Sequence, residues 1–410
     1  ESDQVTELVT LNSMIPLWKK NKNDVTDEEL NDFYMQKFYD YENPMLHLMF
    51  NVEGNINYTA LLFIPNIPPR NLHSIDYEKG LQLYSKGVFI MDKCKELIPD
   101  YLRFVKGIVD SNDLSLNISR EMLQQNKVLR LMQINIEKKI INKLTSLLKE
   151  DREKYKDFFK NYGINLKFGA YENYGSKKEM LQDLLIYNSV NSDEMITFKE
   201  YVEKMKEGQK DIYYVSCKTK DEALAMPQMD LIKKNGFDVL MLTDDVDEFL
   251  LKMLNKYDEH EFKCINQTNL DDIVNEDEKE KQEEIKKETQ PLLDAIKEAL
   301  KDEVKDVVIS TRLVDSPVCL VAGDGISFEM EKVIESMPTN DKVKAERILE
   351  INPNHELFKA LKQIYESDPA ELKDYAFLLY NQALLIEGFK PTNSVEFSNL
   401  MCKLMIKTTK

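Results

Sequence analysis

The stretch DDIVNEDEKEKQEEIKKETQ, residues 271–290, limits how this chain can fold more than any other. Charged side chains dominate it, which is the composition of a solvated linker or an exposed helix. No hydrophobic core can run through it, so a domain boundary is expected there. A chain of 410 residues is long enough for two to four domains. Pro291, directly after the run, suits the first position of a new helix.

The bulk chemistry narrows the function classes. Hydrophobic residues make up 42% of the chain, with 18 Phe and 19 Tyr, enough for sizeable cores. The net charge of −18 excludes the basic footprint of a nucleic-acid binder and disfavours anionic membranes. Five cysteines, odd in number and without a CxxC, argue against a disulfide framework and for a reducing compartment, so a cytoplasmic location is expected. No run of 18 apolar residues predicts a membrane span, and ESDQVTELVT does not read as a signal peptide.

Before the charged run, Thr26 and Glu29 form a capping-box pattern ahead of Leu30, Phe33 and Tyr34 on one helical face. Alternating residues at 48–52 and 56–62 flank Gly54 and predict a hairpin. Strand-like runs follow at 80–91 and 101–109, around a short helical pattern at 94–98. A polar loop at 110–119 leads into a long helical region whose stripe is Leu129, Met132, Ile136, Ile140, Leu144 and Leu147. Gly163 reads as a helix stop. Helices at 177–188, 198–206 and 220–235 then alternate with strands at 211–216 and 237–243, predicting an α/β sandwich with a parallel pair. Beyond 291 the pattern is helix (291–302), strand (306–314), helices at 326–337 and 342–349, then helices at 356–366, 369–387 and 394–407.

Searches for a self-contained catalytic site fail. GxxxxGK[ST], GxGxxG and HExxH are absent, and the four histidines pair with no cysteine at metal-ligand spacing. Gly323-Asp324-Gly325 reads as a turn. One stretch stands apart: SNDLSLNISREMLQQNK, 111–127, places Arg120 in the first turn of a helix, where a cation opposes the helix dipole. Spacing alone reads as a surface pair with Glu121 or Asp113, and Asn117 and Ser119 read as helix caps.

That stretch resembles the catalytic loop of the Hsp90 chaperone family. PLWKKNK (16–22), EELNDFY (28–34), LLFIP (61–65), LYSKGVFIMD (83–92), IPDYLRFVKGIVDSNDL (98–114), EGQKDIYYVS (207–216) and GFDVLMLTDDVDE (236–248) are similar to landmarks of the family's middle domain, in the same order. LLYNQALLIEGF (378–389) resembles its dimerising end.

The resemblance implies a multidomain α/β (α+β) chain. Its middle domain would be 1–265: a large α/β/α unit at about 1–148, a helical connector at about 149–175, and a second unit at about 176–265. A charged linker (266–290) and a mixed α/β dimerisation domain (291–410) ending in a helical hairpin would follow. The nucleotide-binding domain is expected upstream of residue 1. The ending MIKTTK, without an acidic co-chaperone tail, points to a bacterial or organellar member.

By residue-for-residue match, Arg120 would reach the γ-phosphate of ATP, with Gln124 one turn on; both are the catalytic candidates. A guanidinium suits phosphate because it offers a bidentate fork. ATP with Mg2+ is expected in the full-length protein and neither in this fragment, which would be inactive alone. Trp18, the only tryptophan, would be an exposed aromatic that touches client proteins, the alternative being ordinary burial. Phe328, Met330 and Met337 would offer a second client surface, or pack into the local core. Leu379, Leu384, Phe397, Leu400, Met401 and Leu404 would form a four-helix bundle with a second copy. Expected partners are that copy, unfolded or partly folded clients and other chaperones, but neither nucleic acid nor membrane. A non-enzymatic scaffold or adaptor is the alternative.

Overall fold

The computed structural model describes residues 15–114, 127–267, 273, 276–338 and 343–407. The chain is mixed α/β and divides into two compact units near residue 185: 1–172 with 176–185, and 173–175 with 186–410.

In the first unit, a 3-10 turn (Leu17–Lys19) and helix α1 (Asp27–Phe38) precede a five-stranded sheet. Its strands are β1 (Leu46–Val52), β2 (Tyr58–Ile64), β3 (Leu81–Ser85), β4 (Val88–Cys94) and β5 (Lys106–Ser111), ordered β1-β2-β5-β3-β4. The Thr26–Glu29 capping box forms as expected: each residue's side chain accepts from the other's backbone N–H. β1 and β2 make the expected hairpin, Leu46 opposite Ile64. β5 is antiparallel to β2 and parallel to β3, so it sits in the middle of the sheet and its residues 107–111 are buried. The strand-like reading of 101–109 thus started too early; its first residues form a 3-10 turn (Asp100–Leu102).

Helix α2 (Lys127–Glu150) buries the whole of the apolar stripe read from the sequence, Leu129 to Leu147. Helix α3 (Arg152–Gly175) passes straight through Gly163, which is not a stop. A Cβ at Gly163 would lie 2.9 Å from the Phe159 ring, and one at Gly169 would lie 2.4 Å from the Tyr101 ring. These helical glycines make room for aromatic rings.

The second unit opens with β6 (Ile186–Ser189), β7 (Ile196–Thr197), helix α4 (Phe198–Glu203), β8 (Ile212–Ser216), α5 (Lys220–Ala225), α6 (Met229–Asn235), β9 (Leu240–Leu242), α7 (Asp247–Leu254), β10 (Lys256–Tyr257) and β11 (His260–Cys264). The sheet order is β10-β11-β8-β9-β6-β7. β8 pairs in parallel with both β9 and β11, the α/β arrangement expected. The helix expected over 220–235 is interrupted around Pro227, which cannot continue a helical hydrogen-bond ladder.

The charged run forms the beginning of a 25-residue helix, α8 (Glu276–Leu300), and Pro291 lies inside it rather than at its start. Its C-terminal half buries Leu292, Leu293, Ile296 and Leu300. β12 (Asp306–Ile309), β13 (Val318–Ala322) and β14 (Arg347–Ile351) follow, with helix α9 (Phe328–Ser336) between the last two. Residues 347–349, read from sequence as helical, belong to the central strand of the order β12-β14-β13. A short apolar run carries no period that separates helix from strand, and pairing on both sides decides it. Helices α10 (Glu356–Ser367), α11 (Pro369–Ile386) and α12 (Ser394–Lys407) fall close to where the sequence places them.

The two sheets of this unit are joined directly. Ala322 N–H donates to Asn266 O at 2.8 Å, and Gln267 bridges to Ala322 in parallel. The buried Arg312 bonds Glu350 (Nε, 3.1 Å), Ile265 O (Nη1, 2.7 Å) and Gln267 O (Nη2, 3.0 Å).

Candidate functional site

Arg120 and Gln124 lie outside the described residues, as do Asn117 and Ser119. Their loop is described up to Leu114 on one side and from Lys127, the start of α2, on the other. The geometry of the strand end that leads into it is therefore on view.

That end, Asp110–Leu114, is held on three sides. The Asp110 carboxylate is fully buried. It accepts from Trp18 Nε1 at 3.1 Å, pairs with Lys19 Nζ at 2.9 Å, and accepts from Gly87 N–H at 3.0 Å. Ser111 Oγ donates to Asn57 O at 3.0 Å and accepts from Asp113 N–H at 3.2 Å. Asn57 N–H donates to Asp113 Oδ2 at 2.5 Å. Ser85, opposite Ser111 in the parallel β3·β5 pair, donates through Oγ to Leu114 O at 2.7 Å. Asp113, weighed above as a surface partner for Arg120, accepts from Asn57 through Oδ2; Arg120 itself lies outside the described residues. A cleft of about 400 Å3 lies alongside, lined by Lys19, Asn51, Asn57, Tyr58, Asp110 and Asn112. Burial pushes the Tyr58 phenol up to about 12, so it stays protonated at neutral pH.

Trp18 is not the exposed aromatic that the resemblance implies. It is 8% exposed, with Tyr84 at 5.0 Å and Phe33 at 6.1 Å between ring centroids. Its N–H has a buried partner, which is what a buried indole requires. Phe328 and Met330 are also buried, in the way of an ordinary core-facing stripe; Phe328 belongs to the C-terminal core. Met337 alone of the three is open, at 45% exposure.

The dimerisation candidates separate in the same manner. Leu379 and Leu384, on α11, sit in the core of their own unit. Phe397, Leu400 and Leu404 on α12 are only half-buried and Met401 is exposed; the helix has no buried residue at all. It is tied to α11 by Lys403–Asp374 (2.9 Å) and Lys407–Glu371 (2.6 Å). Cys402 on this helix is exposed, whereas Cys94, Cys217, Cys264 and Cys319 are buried.

A second cleft, about 310 Å3, lies within the second unit and is lined by Ser216, Glu248, Cys264, Ser327, Met330 and Glu387. Its two buried carboxylates are fully engaged. Glu248 accepts from the Ser216 and Ser327 hydroxyls, and Glu387 from Gln228 Nε2 (2.6 Å) and Asn266 Nδ2 (3.0 Å). Burial pushes Glu387 up to about 7, against the opposing pull of Gln228, Lys332 and Asn266. Among the described residues, no group of His, Cys, Asp or Glu is placed to hold a metal ion, and no helix is long and apolar enough to cross a membrane.

The sequence reading missed Asp110, Ser111, Ser85 and Asn57 as site residues. The signal available was the run of polar residues straight after the buried strand KGIV, where a core strand ends in side chains that need partners.

The Hsp90 protein family model matches residues 1–410. The chain is 47% identical over 406 residues to the chaperone protein HtpG of Bacillus subtilis (strain 168), covering 99% of this chain and 65% of that protein. Similarity to HtpG of Oceanobacillus iheyensis is of the same extent, and to HtpG of Clostridium botulinum (strain Langeland) it is 47% over 405 residues, 64% of that relative. The chain thus spans just under two thirds of these relatives. A match running from its first residue to its last, together with 47% identity over nearly the whole chain to these relatives, shows that this chain belongs to the Hsp90 family.

Proposed function

We propose that this chain supplies the client-binding, dimerising part of an ATP-dependent chaperone of the Hsp90 type, working in the cytoplasm. Arg120 would stabilise the γ-phosphate of a nucleotide held outside these residues, with Gln124 beside it. The observation that carries this reading is the family match through SNDLSLNISREMLQQNK, the segment that follows the clamped end of β5. ATP with Mg2+ would supply the phosphoryl group, and the chain's own contribution would be the guanidinium of Arg120, whose planar fork suits phosphate oxygens.

Clients would meet the exposed side chains, Met337 among them; contact through Phe328 and Met330 requires α9 to lift from its core. The second copy would cover α12. The decisive experiment joins the chain to the remaining third of a full-length protein and compares it with Arg120→Ala. Turnover should fall by about a hundredfold or more while nucleotide affinity stays within twofold. Undiminished turnover would remove Arg120 from the reaction. Suppression of the aggregation of an unfolded client separates the chaperone from a passive scaffold, which should show none.

A further inference from the structure

We propose that Asn381 is a positioning residue for self-association: by clamping Thr392 it sets the direction in which α12 leaves α11. The claim rests on the reading that a second copy covers α12. Asn381 lies on α11 and is fully buried. Both ends of its side-chain amide are used. Oδ1 accepts from the Thr392 N–H at 2.7 Å and from the Thr392 hydroxyl at 3.2 Å, while Nδ2 donates to Phe377 O at 2.8 Å. A carboxylate could accept twice but could not donate to that carbonyl, and an apolar side chain would leave both Thr392 donors without this partner.

The clamp acts where the chain reverses. Gly388, just past α11, has a left-handed φ of +78°, and the Phe389 N–H returns to Leu384 O at 2.9 Å. Asn381 then catches Thr392, and the next residue caps α12: Asn393 Oδ1 accepts from the Glu396 N–H at 3.1 Å, and Asn393 O from the Phe397 N–H at 2.9 Å. The base of α12 is thus pinned to a side chain rooted beside Leu379, Tyr380 and Leu384 of the C-terminal core. The rest of α12 has no such hold. It buries no side chain, and the Lys403–Asp374 and Lys407–Glu371 pairs that join it to α11 lie at the surface, where ion pairs hold weakly. Leu385 and Ile386 of α11 and Val395, Met401 and Met405 of α12 are exposed. A symmetric partner meets them as one surface only if the two helices keep a fixed angle. A helix oriented before association also loses less freedom on binding, which raises affinity.

The test uses the 410-residue chain, with a dimer dissociation constant from sedimentation over a dilution series and with amide exchange. Thr392→Val removes one bond at an exposed position, and Asn381→Ala removes the whole clamp. The constant should rise about threefold and about tenfold respectively. Exchange should quicken over residues 389–407 while β13 and β14 keep their protection. Asn381→Asp keeps both acceptances and should recover most of the affinity. An unchanged constant in both clamp variants would overturn the proposal. So would exchange that quickens through β13 and β14 in step with the lost affinity, since that is a general loosening of the fold. Met401→Glu, run alongside, keeps the two readings apart. If it separates the chains while the clamp variants do nothing, only the role of Asn381 fails. If Met401→Glu stays paired, or the unaltered chain is single at every dilution, no second copy covers α12 and the positioning role falls with that reading.

Discussion

Arg312 shows what a single side chain holds together here. It is 2% exposed, and its guanidinium spans Glu350 on β14 and two carbonyls in the 265–267 segment. No other residue type offers that planar fork. Arg312→Ala leaves Glu350 without its ion-pair partner in a buried setting and should destabilise the second unit by about 3–5 kcal/mol, read as a lower urea midpoint. Arg312→Lys should recover only part of it, because one ammonium cannot reach all three acceptors. Nothing in the sequence singles out Arg312, Gln228 or Glu387, because their roles come from partners 38 to 159 residues away. Arg120 was the reverse case. Its proposed role rests on a motif of consecutive residues, and Arg120 lies outside the described residues.

At the level of elements, the legible parts were those with a strong local period or a cap. The stripe on α2, the Thr26 box on α1 and the three C-terminal helices all have such signals, and they fall close to where the sequence puts them. The misreadings share a different cause. Gly163 and Pro291 look like punctuation, but packing overrides both: one gives way to an aromatic ring, and the other lies within α8 just before Leu292 enters the core. Pro291 has no N–H for the helix ladder and is exposed. Pro291→Ala should therefore stabilise the second unit by about 1–3 kcal/mol, seen as a higher urea midpoint. A lower midpoint would mean that Pro291 is required for the packing of α8.

Over the whole molecule, two properties emerge that no single element has. The first is a pH dependence centred on Glu387. Its folded pKa, about 7, lies above the ordinary 4.5, so the fold holds this proton more tightly than the open chain does. Stability from this group is full below about 4.5 and is lost as pH rises through about 7, a change of about 3 kcal/mol. Urea midpoints at pH 5 and pH 8 should show the loss, and Glu387→Gln should flatten it. The second, under the proposed function, would be self-association. A helix with no buried residue, α12, carries a half-covered apolar side. Light scattering should give about twice the 48.0 kDa chain mass, and Met401→Glu should return it to the single-chain value. The cysteine pattern turns that same helix into a measuring point. With four thiols shielded and Cys402 in the open, a maleimide dye added to the native protein attaches at one place per chain. Energy transfer between dyes on paired chains would then report how far apart their tails sit, with no engineered residue.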